Sequence, residues 1–143
     1  MLDKYFVLEK YDGKENESEF VKYIDSKEKQ ISWWFKNGDN GKDYYAIKYF
    51  NTSTKEDSLF YPDWIIKFKN GKIGIFDTKA GRTATDTEGK AEALAAKLIA
   101  LGANYVGGIS VFGDGVWYYN DSKKYEYTLG KMNKDWKKME VLF

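Results

Sequence analysis

Near the middle of the chain Ile73, Ile75, Asp77 and Lys79 stand at every second position. On an extended strand alternate side chains share one face. The two isoleucines therefore anchor the strand, and an acid and a lysine emerge side by side at its end. A carboxylate and an ammonium held near a core lose hydration, and a divalent cation together with a phosphate would satisfy both. The acid would ligate the cation; the lysine would neutralise phosphate charge or orient an attacking water. A second acid must converge on the same cation. Asp63, directly after Pro62, stands at the start of the preceding strand.

The elements that must position these residues can be read from pattern. Residues 64–69 (WIIKFK) and 72–77 (KIGIFD) flank Asn70-Gly71, which predicts a hairpin closed by a two-residue type I′ turn. That turn pairs Lys69 with Lys72 and sets Trp64 opposite Asp77, leaving Asp63 on the wrong face. Because Pro62 cannot donate to a ladder, a bulge or strong twist at Pro62-Asp63 is expected to re-aim the carboxylate. Residues 17–26 carry Phe20, Val21 and Ile24 at helical spacing. Residues 31–36 (ISWWFK) read as a strand ending at Asn37-Gly38, residues 44–50 as another, and residues 51–58 as a loop. After Lys79, AGRTATDT reads as a mobile loop leading to a helix over residues 89–101, with Thr85 or Thr87 as N-cap. Leu94, Leu98 and Leu101 form its stripe, and it stops at Gly102. Strands are predicted over residues 105–112, 116–120 and 125–129, with a turn at residues 113–115 and a short helix after Asn133. This order predicts an α/β fold around a mixed sheet. Trp33, Trp34 and Phe35 are candidates for base stacking, but neighbours on a strand face opposite ways, so core packing is the default expectation.

Composition narrows the chemistry. With 143 residues the chain has the size of one domain, residues 1–143. It has no cysteine and no histidine, which removes disulfides, thiolate and imidazole metal sites, and histidine-based triads. Any metal must be held by oxygen, which favours magnesium, manganese or calcium. The net charge of +1 argues against a strongly basic stand-alone nucleic-acid binder and predicts weak, salt-sensitive binding. No apolar run approaches the roughly 18 residues of a membrane span. The start, MLDKYFVLEK, is too charged for a signal peptide. No membrane association and a cytoplasmic location are expected.

Pro62-Asp63, thirteen intervening residues and Asp77-Thr78-Lys79 together resemble the signature of PD-(D/E)xK, restriction-endonuclease-like nucleases. More narrowly, FYPDWIIKFKNGKIGIFDTKAG resembles the nuclease domain at the C-terminal end of type III restriction enzyme restriction subunits. Glu17 with Phe20 matches that family's early helix, residues 32–37 (SWWFKN) match its aromatic strand, and Lys90 in TEGKAEAL matches a lysine on its later helix. The resemblance spans roughly residues 17–111. It implies a restriction-endonuclease-like mixed sheet flanked by helices and Mg²⁺-dependent hydrolysis of DNA phosphodiesters, with Mn²⁺ as a substitute. It implies Asp63, Asp77 and Glu17 as metal ligands and Lys79 at the scissile phosphate, in a restriction or defence setting. Glu19 rivals Glu17. Lys90, and Arg82 in the loop after Lys79, are candidate phosphate contacts. The sequence departs from the family pattern in having Asp77 where Glu is commoner and Ala80 before Gly81. No GxxxxGK[ST] loop is present, so the implied partners are DNA, a separate or fused ATP-dependent motor and a modification subunit. Cutting both strands in one event needs two nuclease domains, which leaves a homodimer open. The alternative is a catalytically silent nucleic-acid-binding or assembly module with the same fold.

Overall fold

The segment IGIFDT is apolar on both sides of its pleat, and such a strand needs cover on both faces. A computed structural model, which describes residues 15–38, 41–129 and 131–143, shows how that cover is built. The elements run α1 (Glu15–Ser26), β1 (Ile31–Lys36), β2 (Ile47–Asn51), β3 (Glu56–Phe60), β4 (Trp64–Phe68), β5 (Ile73–Thr78), α2 (Arg82–Thr85), α3 (Glu88–Leu101), β6 (Tyr105–Gly113), β7 (Val116–Asn120) and β8 (Trp136–Lys138), then a 3₁₀ turn (Met139–Leu142). The fold is α/β. Among the described residues a six-stranded sheet has the order β1-β4-β5-β6-β7-β8, and β2 and β3 form a separate two-stranded sheet. Within the large sheet β5 and β6 are parallel, joined through α2 and α3, and the other pairs are antiparallel.

Helix α1 lays Phe20 and Ile24 on one face, against Trp34, Trp64, Ile66, Phe68, Phe76 and Trp117. Phe20 is fully buried, its ring 5.3 Å from Trp64 and 5.0 Å from Trp117. On the other face Leu94 and Leu98 of α3 cover Ile75, together with Ile47 and Phe60 of the small sheet. Successive residues of β5 thus reach two different cores. Leu101, expected on the same helical stripe, is exposed.

The hairpin carrying the candidate acids differs from the predicted one. Phe68 N–H donates to the Lys72 carbonyl at 2.9 Å, and Gly71 N–H donates back to the Phe68 carbonyl at 3.1 Å. The loop is therefore residues 69–71, one longer than expected. Gly71 has φ +92° while Asn70 is not among the positive-φ residues, so this is a three-residue connection with glycine in the left-handed position. The Asn70 side chain accepts the Lys72 N–H at 3.0 Å, which ties its conformation to the turn. Trp64 now pairs with Phe76 and Ile65 with Ile75. A one-residue slip moves every side chain of a strand to the other face, and continuing this register sets Asp63 across from Asp77. No bulge at Pro62-Asp63 is needed; the pairing of β4 with β5 ends at Trp64. The type I′ geometry occurs elsewhere, at Asp114 (φ +51°) and Gly115 (φ +76°), between the paired Gly113 and Val116.

Other expectations are corrected as well. Residues 51–58 are not all loop, because Glu56–Phe60 forms β3 against β2. Residues 125–129 form no strand; Tyr125 is buried instead in a cluster with Trp136, Ala84 and Ile109. The segment after Lys79 folds into α2 before α3 begins. Thr87 precedes α3 without a side-chain capping bond, although its carbonyl accepts the Ala91 N–H at 2.8 Å. After Asn133 the expected short helix is present as a 3₁₀ helix over Met139–Leu142, preceded by the unexpected strand β8. The segment MLDKYFVLEK lies outside the described residues. No helix among the described residues is long and apolar enough to cross a membrane.

Strand β6 threads between β5 and β7 through Gly107. A Cβ there would lie 1.9 Å from the Ile75 carbonyl oxygen, whereas one on Gly71 would meet nothing. Gly71→Ala is expected to cost about 1–2 kcal/mol, for backbone conformation alone. Gly107→Ala is expected to cost at least about 3 kcal/mol, because β5 itself must shift. Urea melts of the two variants check the order, and equal costs would contradict the packing described.

Candidate active site

The end of β5 is where the sheet runs out of backbone partners. Beyond Trp64 the chain turns away from β5 toward β1, and Asn37 N–H donates to the Asp63 carbonyl at 2.7 Å. The Asp63 side chain then takes the place of a backbone acceptor. Its Oδ2 accepts the Thr78 N–H at 3.0 Å and the Thr78 hydroxyl at 2.8 Å. In return Asp63 N–H donates to Asp77 Oδ1 at 3.2 Å. These bonds hold two carboxylates side by side across adjacent strand ends. Asp77 is 1% exposed, and its Oδ2 forms an ion pair with Lys79 Nζ two residues along. Lys79 is kept in line because its N–H donates to the Ser110 carbonyl at 2.9 Å, one step beyond the β5–β6 pairing.

A second lysine completes the cluster. Lys36, the last residue of β1, shares its face with Trp34 and lies opposite Trp64. Its Nζ is 3.0 Å from Asp63 Oδ1 and 3.7 Å from Glu17 Oε1, and it stands over the Trp64 ring at 5.1 Å. Glu17 is 7% exposed, on the stripe of α1 that also carries Phe20 and Ile24. Glu19 faces solvent and pairs with Lys22 at 2.9 Å. The structure thus brings together Glu17, Asp63, Asp77 and Lys79, with Lys36 between Glu17 and Asp63. Among the described residues no three acids close directly around a single point. Comparison of the chain with protein-family models, curated proteins and solved structures gave no match.

The charges explain one another. Burial raises the proton affinity of Asp63, but the charges of Lys36 and Lys79 and the bonds from Lys36 and Thr78 outweigh it, holding this carboxyl below its ordinary value. Burial, then the neighbouring Asp63 charge, pushes the Asp77 carboxyl up to about 7 against the pull of Lys79. For Lys79 burial works against the charged form, yet Asp77, Asp63 and Glu17 together raise its pKa. Two carboxylates crowded in a buried space, all donors being oxygen, fit a hard divalent cation. The Lys36 ammonium already stands as a positive charge against Asp63 and Glu17. Asp63 and Asp77 could hold such an ion, while Glu17 approaches from α1 on the far side of Lys36.

The remaining candidates stand apart from these contacts. Lys90 places its Nζ 5.9 Å from the Tyr49 and Phe60 rings. Arg82 is almost wholly exposed and pairs with Asp86 at 3.4 Å. Of the aromatic triplet, Trp34 is core, whereas Trp33 and Phe35 are 45% and 41% exposed, and Tyr44 stacks on Phe35 with centroids 6.4 Å apart. The segment after Lys79 is tied down by the Tyr125 hydroxyl, which donates to the Ala84 carbonyl at 2.6 Å. Sequence reasoning missed Lys36. The signal was its alternation with Trp34, which puts the lysine on the α1 side of the strand.

Asp77 holds its proton in the folded chain and not in the unfolded one between its ordinary value of 3.8 and about 7. The stability from that proton is complete below 3.8 and lost as pH rises through about 7. In metal-free buffer the native protein is expected to lose on the order of 2 kcal/mol between about pH 5 and pH 8, and Asp77→Asn much less. Urea melts across that range check this; parallel profiles would remove Asp77 as the cause.

Proposed function

We propose that this chain is a Mg²⁺-dependent endonuclease domain of the PD-(D/E)xK type that hydrolyses DNA phosphodiesters. The observation that carries the reading is the pairing of Asp63 with Asp77 across two strand ends, with Lys79 on the same strand as Asp77. The resemblance of residues 60–81 to type III restriction nuclease domains supports it. The buried approach of Glu17, the early helical acid of that resemblance, supports it further. A bound divalent cation supplies Lewis acidity at the scissile phosphodiester. Asp63, Asp77 and Glu17 would hold it. Lys79 would set its ammonium against the phosphate, where negative charge grows as the bond breaks. The setting proposed is a cytoplasmic restriction or related defence system, with a separate or fused motor and a modification subunit delivering DNA.

A second reading is a catalytically silent nucleic-acid-binding or assembly module. It draws on the internal neutralisation of the site, in which Lys36 answers Asp63 and Lys79 answers Asp77.

Plasmid and oligonucleotide cleavage with Mg²⁺ or Mn²⁺ tests the proposal. Asp63→Ala, Asp77→Ala and Lys79→Ala are each expected to lower the rate by at least about 100-fold, with chelation abolishing it. Full activity in any of the three variants would refute the assignment, and no metal-dependent cleavage by the native chain with its motor supplied would favour the silent module. Lys90→Ala and Arg82→Ala are expected to weaken DNA binding modestly and to lower its salt slope by about one each, if each meets one phosphate. Unchanged slopes in a salt titration would remove both from the interface.

A further inference from the structure

Lys36 has a position that ordinary packing does not require. It comes from a different strand than either aspartate, yet its ammonium lies 3.0 Å from Asp63 Oδ1 and 3.7 Å from Glu17 Oε1. All three side chains are largely buried, at 14%, 17% and 10% exposure. Lys79, by contrast, is spoken for by Asp77 on its own strand. In direct ion pairs Lys79 meets Asp77, and Lys36 meets Asp63, just before β4, and Glu17 of α1. A divalent cation that took up Asp63 Oδ1 and Glu17 Oε1 would stand close to this ammonium, and the two positive charges would repel each other.

We infer that Lys36 is a tethered counter-cation that holds Asp63 and Glu17 together in the metal-free protein and must be displaced when a divalent cation enters; this rests on the metal-site reading above. Its ammonium stands over the Trp64 ring, 5.1 Å from the centroid, and its flexible four-carbon stem lets that charge swing away from the carboxylates. Loading the site is then an exchange of one cation for another, and its affinity is lower than that of the same carboxylates without the lysine. Lys36 is a positioning residue in this account. It keeps buried acids from repelling each other until the metal arrives.

Calorimetric titration of the full chain with Mn²⁺ alone, without nucleic acid, tests this. Lys36→Met keeps the apolar stem and removes the charge. It is expected to bind Mn²⁺ at least tenfold more tightly than the native chain, and to melt lower than native in chelator but not in saturating Mn²⁺. Native binding that is lost in Asp77→Asn, with unchanged or weaker binding in Lys36→Met, would overturn the inference and leave the metal site standing. No Mn²⁺ binding by the native chain or by Lys36→Met would remove the metal site and the inference with it. If Lys36→Met does not fold, reductive methylation of the native chain with mass-spectrometric readout decides. Lys36 is expected to react at least fivefold faster in Mn²⁺ than in chelator, with exposed Lys22 unchanged as the internal reference. Equal reactivity of Lys36 in the two buffers would overturn the inference.

Discussion

The carboxylate of Asp63 stands in for a peptide carbonyl. Where β4 leaves β5, the Thr78 N–H would be left without an acceptor in a buried place, and such a group costs about as much as a lost hydrogen bond. Asp63 Oδ2 accepts it, together with the Thr78 hydroxyl. The rest of the cluster depends on this substitution. It fixes one oxygen of Asp63 toward the sheet and leaves the other facing Lys36. It brings the Asp63 N–H to Asp77, and it ends the strand pairing at the point where the candidate site begins. One oxygen of this carboxylate closes the sheet end and the other meets Lys36.

The burial of Asp77 follows from the same arrangement. Strand β5 has a parallel neighbour on one side, an antiparallel neighbour on the other and a helix over each face. A charge there is stable only if opposite charges are placed beside it. The cluster meets that condition with one lysine from the same strand and one from β1. The neutralisation is uneven: Asp63 is held below the ordinary carboxylate range and Asp77 above it. Two neighbouring acids with proton affinities pushed apart are a recurring feature of sites that do acid–base or metal chemistry.

Much of this was legible in the sequence because it rests on periodicity. Alternation through Ile73, Ile75, Asp77 and Lys79 gave the face of β5, and helical spacing gave α1 and α3. The stripe of Phe20 and Ile24 also contains Glu17 and excludes Glu19, so the structural difference between the two acids was present in the pattern. What was not legible depended on turn chemistry and on contacts distant in sequence. Asn-Gly and Asp-Gly are both compatible with a type I′ turn, and only Asp114-Gly115 adopts it. At Asn70-Gly71 the asparagine side chain supports a longer loop through Lys72 N–H. Strand β3, with acids and a serine in its first three positions, carries little local preference and exists because β2 pairs with it. Tyr125 and its neighbours read as strand from their aromatic content, but their rings are used to fill a cluster with Trp136.

The loop of residues 69–71 carries a consequence for how this chain tolerates change. Surface turns ordinarily accept insertions and deletions, since their backbone is solvated and the flanking elements are undisturbed. Here the turn lies at the far end of β4 from Asp63, about 17 Å along a five-residue strand, and its length is matched to the register that sets Asp63 across from Asp77. Removing one residue would force either a tighter turn in the same register or a slip. A slip would turn Asp63 away from Asp77 while taking Trp64, Ile66 and Phe68 out of their core. The length of an exposed, chemically plain loop is thereby tied to the placement of two buried acids at the other end of the hairpin.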